Sequence, residues 1–176
     1  KDAVAPLLGR LGNAVVVSIA AGLDMAALSR WLGGHRKIVR CMPNTPALIG
    51  AGITGLCALP EVSASERDAA ERVLRAVGTT VWIADEAQMD GVTALSGSGP
   101  AYVFLLAEAM IDAGMAEGLP PEAARVLALQ TVLGAARMLT ESDVDAAELR
   151  RRVTSPNGTT QAAIEAFEAG GLRTLV

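Results

Sequence analysis

The chain is poor in aromatic residues, cysteine and histidine. Its 176 residues include two Phe, two Trp and one Tyr, 3% of the total. The 51% hydrophobic content is carried by Ala, Val and Leu, small groups that suit close helix–helix packing. Cys41 and Cys57 are the two cysteines and lack a Cys-x-x-Cys spacing. That points away from a disulfide scaffold and toward buried thiols in a reducing compartment, the cytoplasm. His35, the one histidine, follows Gly33-Gly34 and reads as a solvent-exposed linker residue rather than a base or ligand. No His, Cys, Asp and Glu cluster has metal-ligand spacing, so no metal is expected. Positive charge is not in excess: 15 Lys and Arg face 19 Asp and Glu, a net −4, which leaves no electrostatic footprint for nucleic acid. Arg150-Arg151-Arg152 reads as a helix C-terminal cluster complementing the dipole, with phosphate binding as the alternative. The start, Lys1-Asp2-Ala3, does not read as a signal peptide.

Mean hydropathy is high, at +0.37. The longest uncharged stretch, Cys41 to Pro60, carries Pro43, Pro46, Gly50, Gly52, Gly55 and Pro60. A spanning helix needs about 20 residues that all stay helical, which this stretch does not offer. The apolar helical runs are broken by Glu108, Asp112 and Glu117. The expectation is therefore no membrane, but an obligate oligomer whose interface resembles a divided core.

Strand signals fill the first half. Asn13 to Ala21 reads as a buried strand of a parallel sheet, followed by a helix over Leu23 to Leu32 and a strand over Lys37 to Met42. Pro43-Asn44-Thr45-Pro46 is a turn, and Gly52 to Leu59 a further strand. Ser65 to Val77 is a helix capped by Ser65 and stopped by Gly78, and Thr79 to Ile83 a short strand. Val4 to Leu11 reads as a helix leading into the first strand. After about Asp85 only helices are expected: Ala101 to Glu117, Glu122 to Leu139, Asp145 to Val153 and Gln161 to Ala169, the first two buried on more than one side. The fold class is α/β plus all-α, with residues 1–85 in a Rossmann-type layer and residues 86–176 in a helical domain. No Gly-x-Gly-x-x-Gly follows any strand.

One segment stands apart. Val92 to Phe104 reads Val-Thr-Ala-Leu-Ser-Gly-Ser-Gly-Pro-Ala-Tyr-Val-Phe. Ser-Gly-Ser-Gly-Pro is a poor helix interior, so it reads as a turn ahead of a helix: an anion or cofactor site, or a packing elbow.

Four segments in order carry a family likeness: Val17 to Gly22, Arg40-Cys41-Met42-Pro43-Asn44-Thr45-Pro46, Leu95 to Tyr102, and Val153-Thr154-Ser155-Pro156-Asn157-Gly158-Thr159-Thr160. With these the chain resembles pyrroline-5-carboxylate reductase, the last enzyme of proline biosynthesis. The resemblance implies a Rossmann domain followed by an interlocking helical dimerisation domain. It also implies NADPH or NADH as hydride donor, 1-pyrroline-5-carboxylate as substrate, a homodimer or higher homo-oligomer, and a cytoplasmic oxidoreductase. The family's glycine-rich phosphate loop and last helix are not matched, which reads as a fragment, inactive on its own.

By the resemblance, Val153, Ser155, Gly158, Thr159 and Thr160 bind the substrate, with Thr160 catalytic through a hydrogen bond to the imine nitrogen. Read from residues alone, Thr159 or Thr160 is instead an N-cap behind a Pro-Asn-Gly turn. Ala20, Ala21, Gly22, Met42, Asn44 and Thr45 are the expected cofactor contacts at strand ends. A rigid turn is the competing reading for 43–46. The Ser96 to Pro100 segment either borders the substrate pocket, completed by Ser155 to Thr160 of the partner, or serves close helix packing. A second function class stays open: a non-catalytic helical dimerisation or binding module. A third reading, a dehydrogenase acting on a hydroxy acid, needs a lysine or histidine acid that these motifs do not offer. No nucleophile with an orienting base is visible for a hydrolase. Hydride addition to an already charged imine asks mainly for orientation, which hydroxyls and backbone N–H groups supply.

Overall fold

A computed structural model describes residues 2–176. The chain divides into two compact units, one ending at Leu106 and one over Ala107–Val176.

The first unit is built on four strands: β1 (Val16–Ser18), β2 (Ile38–Met42), β3 (Gly52–Ala58) and β4 (Gly78–Trp82), in sheet order β1-β2-β3-β4. β1–β2 and β3–β4 are parallel, as expected, while β2–β3 is antiparallel. The reason is length. Only residues 43–51 connect β2 to β3, too few for a crossover helix. Alternation along β2 sends Val39 and Cys41 to one face and Ile38 and Met42 to the other. The first face packs against α2 (Ala64–Arg75) through Ala70 and Leu74. The second packs against α1 (Met25–Trp31) and α3 (Met89–Val92) through Met25, Leu28 and Met89. Cys41 and Cys57 are free and buried, as expected, and burial pushes the Cys41 thiol up to about 12.

Several boundaries differ from the expectation. β1 is three residues long, and Val17 and Ile19 are exposed rather than buried on both faces. The segment Val4 to Leu11 holds only a short 3₁₀ turn, Ala5–Leu7, because Pro6, Gly9 and Gly12 leave no room for more. His35 is half-buried, with Nε2 2.9 Å from the Ala14 carbonyl oxygen. Ser63, not Ser65, caps α2. Its Oγ accepts the Glu66 N–H while Glu66 accepts the Ser63 N–H, a capping box that the Ser-x-x-Glu spacing encodes.

Glu66 also receives Lys37 Nζ at 2.6 Å. That bond first, and the two from Ser63 next, hold its carboxyl down from 4.5 to about 2. The folded value is depressed, so this stability is complete above the ordinary carboxylate range and lost as pH falls from 4.5 to about 2. Glu66→Gln is expected to flatten that part of the acid-unfolding curve. Urea midpoints measured across this window check it, and parallel curves for variant and wild type would refute it.

The Ser-Gly-Ser-Gly-Pro segment is not a turn. A 3₁₀ turn (Glu86–Gln88), α3, a π turn (Thr93–Gly97) and α4 (Gly99–Ala116) follow one another in a 31-residue helical run, Glu86–Ala116. The wider π turn closes with Ser98 N–H on the Thr93 carbonyl. Pro100 has no N–H to offer the Ser96 carbonyl four residues before it, and that carbonyl accepts from Asn44 Nδ2 instead. By length and composition this run is sufficient to cross a membrane, and its most apolar window is 6% buried.

In the second unit α5 (Pro121–Glu141) packs on α4 through alanines: Ala107, Ala124 and Ala128 are buried, and Ala124 lies against Gly114. The two helices were expected to be covered on several sides. Here Leu127, Leu129, Leu133 and Met138 remain exposed. α6 (Ala146–Arg152), α7 (Thr159–Ala169) and α8 (Leu172–Leu175) complete the unit.

Candidate cofactor and substrate segments

β1 and β2 run parallel in the register Ser18↔Arg40, so the residues beyond their carboxyl ends open at the same edge of the sheet. Those residues are the expected cofactor contacts. Ala20, Ala21 and Gly22 are exposed, Gly22 in the left-handed region at φ 72 with open space where a Cβ would stand. Small, open backbone of this kind fits the flat face of a nicotinamide ring. On the neighbouring strand, Met42 and Asn44 are half-buried and Thr45 is exposed.

Asn44 is occupied at both ends. Its Oδ1 accepts the Ile53 N–H at 3.0 Å, and its Nδ2 donates to the Ser96 carbonyl at 3.1 Å. The side chain thus ties the loop after β2 to β3 and to the π turn. The π turn approaches β2 just as closely: a Cβ on Gly97 would stand 2.7 Å from Met42 Cε. Ser96 Oγ donates to the Val92 carbonyl, and Thr93 Oγ1 to that of Met89. A groove of about 520 Å³ follows from this packing, with Asn44, Pro46, Leu95, Ser96, Pro100 and Tyr102 in its wall. The Pro-Asn-Thr-Pro and Ser-Gly-Ser-Gly-Pro motifs, far apart in sequence, therefore meet.

Two charged residues were given no role in the sequence reading: Arg40, named only within a motif, and Glu86. Arg40 is 8% exposed, and its Nη1 lies 3.1 Å from Glu86 Oε1. The same oxygen accepts the Met25 N–H at 2.8 Å. Beside them, burial first, then the charge of Glu86, raises the Cys57 thiol. A buried arginine needs an anionic partner, and that requirement was the available signal.

The expected substrate residues sit in the second unit. Val153, Ser155 and Thr159 are exposed, while Gly158 and Thr160 are half-buried. The capping reading of Thr159 and Thr160 fails: Gly158 is the N-cap of α7, and no side chain caps it. Both threonines lie in the first turn, beside backbone N–H groups that a helix leaves unpaired. Asn157, the one non-glycine residue with positive φ among those described, makes the preceding turn at φ 57. Gln161 locks it, its Oε1 accepting the Asn157 N–H at 2.8 Å. A cavity of about 660 Å³ lies between α6 and α7, lined by Arg150, Arg151, Thr154, Ile164 and Glu168. Its arginines are paired with Glu168 and Glu148, as a solvated helix-end cluster requires.

The model of the pyrroline-5-carboxylate reductase dimerisation family matches residues 86–176. This chain belongs to the pyrroline-5-carboxylate reductase family. The pyrroline-5-carboxylate reductase of Pseudomonas aeruginosa is 59% identical over 162 residues, covering 92% of this chain and 59% of that protein. The corresponding protein of Haemophilus influenzae is 47% identical over 156 residues, 88% of this chain and 58% of that one. Among solved structures, the Coxiella burnetii pyrroline-5-carboxylate reductase superposes with TM-score 0.90 at 44% identity, covering 99% of this chain and 64% of that one. The Plasmodium falciparum pyrroline carboxylate reductase with NADP bound gives TM-score 0.85 at 34% identity, with coverages of 94% and 66%. The chain thus spans 59% of the length of the Pseudomonas reductase.

Proposed function

We propose that the protein carrying this chain reduces 1-pyrroline-5-carboxylate to L-proline with NADPH or NADH, as a cytoplasmic homodimer or higher homo-oligomer. The observation that carries this reading is the 59% identity to a pyrroline-5-carboxylate reductase across 92% of the chain. The NADP in the Plasmodium relative supports the choice of cofactor class. In the first unit, Ala20, Ala21 and Gly22, with Met42, Asn44 and Thr45, hold the nicotinamide end. Bound NAD(P)H supplies the hydride. In the second unit, Ser155 and the backbone N–H groups at the start of α7 bind the substrate carboxylate, which gains from the helix dipole. Val153 and Gly158 shape that loop, and Thr159 lines it. The cyclic imine arrives protonated, and Thr160 Oγ1 accepts its N–H. As hydride adds to the imine carbon, the C=N electron pair passes to nitrogen and no further proton is needed. Orientation is then the protein's main contribution, consistent with a site built from hydroxyls and N–H groups. The test is pyrroline-dependent oxidation of NAD(P)H by the purified protein, and its absence would sink the reading.

The exposed leucines of α5 and the apolar run Glu86–Ala116 support assembly over membrane insertion, because the family model matched here is a dimerisation model. Leu133→Glu is expected to leave the subunit folded and convert the oligomer to monomer, read by sedimentation. An unchanged mass would place the interface elsewhere.

A second reading, a non-catalytic dimerisation module, draws on the family model, which is a dimerisation model over residues 86–176. Titration with NADPH separates the two, since tight binding counts against the module.

A further inference from the structure

The sheet's second face carries an ion pair that the functional reading does not use. Arg40 sits in β2 between Ser18 of β1 and Cys57 of β3. It shares its face with Ile38 and Met42, among apolar side chains, and is 8% exposed. Glu86 meets it from the start of the long helical run. The pair lies between the two ends of one loop. Residues 19–24 leave the sheet after Ser18, held in register beside Arg40, and enter α1 at Met25, whose N–H is held by the Glu86 carboxylate at 2.8 Å. Between those ends lie Ala20, Ala21 and Gly22.

We propose that Glu86 is a positioning residue for the dinucleotide: anchored by Arg40, it fixes the Met25 end of the 19–24 loop, whose Ser18 end the β1–β2 ladder holds, and so sets where that backbone meets the nicotinamide. This rests on the reductase reading above. Two bonds converge on one oxygen, so neither can shift without the other. Losing the carboxylate frees the Met25 end of the loop and leaves a buried guanidinium without its anion. The consequence is local, because strands β2 and β3 keep their own ladder.

Glu86→Ala, which removes both acceptor oxygens, is the test in the full chain. Hydrogen exchange without cofactor is expected to show the Met25 amide, the one at the end of this loop that Glu86 holds, exchanging about tenfold faster, while those of Leu56 and Cys57 are unchanged. In turnover assays, KM for NAD(P)H is expected to rise about tenfold with kcat within about threefold, the pattern of lost uniform binding. A merely destabilised enzyme lowers the active fraction and leaves KM alone. Arg40→Lys keeps a cation at the same depth and serves if Glu86→Ala does not fold, with the same shifts expected at about threefold. Uniformly faster exchange over the sheet with an unchanged KM overturns the proposal. A wild-type protein that oxidises no NAD(P)H overturns the reductase reading and this proposal together. Wild-type turnover with an unchanged variant KM overturns the proposal alone.

Discussion

Thr160→Ala is expected to lower turnover of 1-pyrroline-5-carboxylate by about a hundredfold, the scale of one lost hydrogen-bonding catalytic group. Its thermal midpoint is expected to move by less than about 3 °C. The two halves of that expectation have separate grounds. Thr160 occupies the first turn of α7 behind a Gly158 cap to which no side chain contributes, so its hydroxyl does not hold the helix together. Alanine is also the better helix former at such a position, by a few tenths of a kcal/mol. The hydroxyl is therefore free for a ligand, and its removal is felt in chemistry rather than in folding. Thr160→Ser restores the oxygen and is expected to restore most of the rate. Equal losses of rate and stability in the alanine variant would make Thr160 a structural residue.

The largest effect on stability is expected at Gly78. It opens β4 with φ 147, opposite Gly52 in the β3–β4 register. A Cβ there would sit well inside contact distance of the Gly52 carbonyl and backbone nitrogen, atoms that cannot move without breaking the ladder. Gly78→Ala therefore combines a forbidden backbone region with a collision between strands, and the expected loss is about 4 kcal/mol or more. Urea unfolding of the two proteins side by side measures it. A loss below about 1 kcal/mol would show that the strands separate without penalty.

Much of this fold is readable from residue patterns. Valine runs, proline turns and glycine stops locate four strands and the long helices within a few residues, because each depends on local chemistry. What escapes local reading is instructive. The Ser-Gly-Ser-Gly-Pro segment looks unfit for a helix, yet a π turn takes in Gly97, which is needed where the helix passes Met42, and α4 starts at Gly99. It packs there on β2, some fifty residues earlier, a contact that local pattern does not reveal. The antiparallel step between β2 and β3 is set by connection length, not by strand composition. The Arg40–Glu86 pair is invisible without the register that brings the two together. Among candidate site residues, Asn44 was anticipated as a ligand contact, and the structure adds that both ends of its amide already serve the protein.

The helical run from Glu86 to Ser96 is pinned twice against the strand beside it, at Arg40 and at Asn44. Ten helical steps advance about 15 Å, and four extended steps about 13 Å. The two elements are thus close to commensurate, like two scales sharing a pair of marks. One residue added to the helix would turn every later side chain by about 100° and slide it about 1.5 Å, so both marks could not be met again. Length in this stretch is therefore as constrained as residue identity.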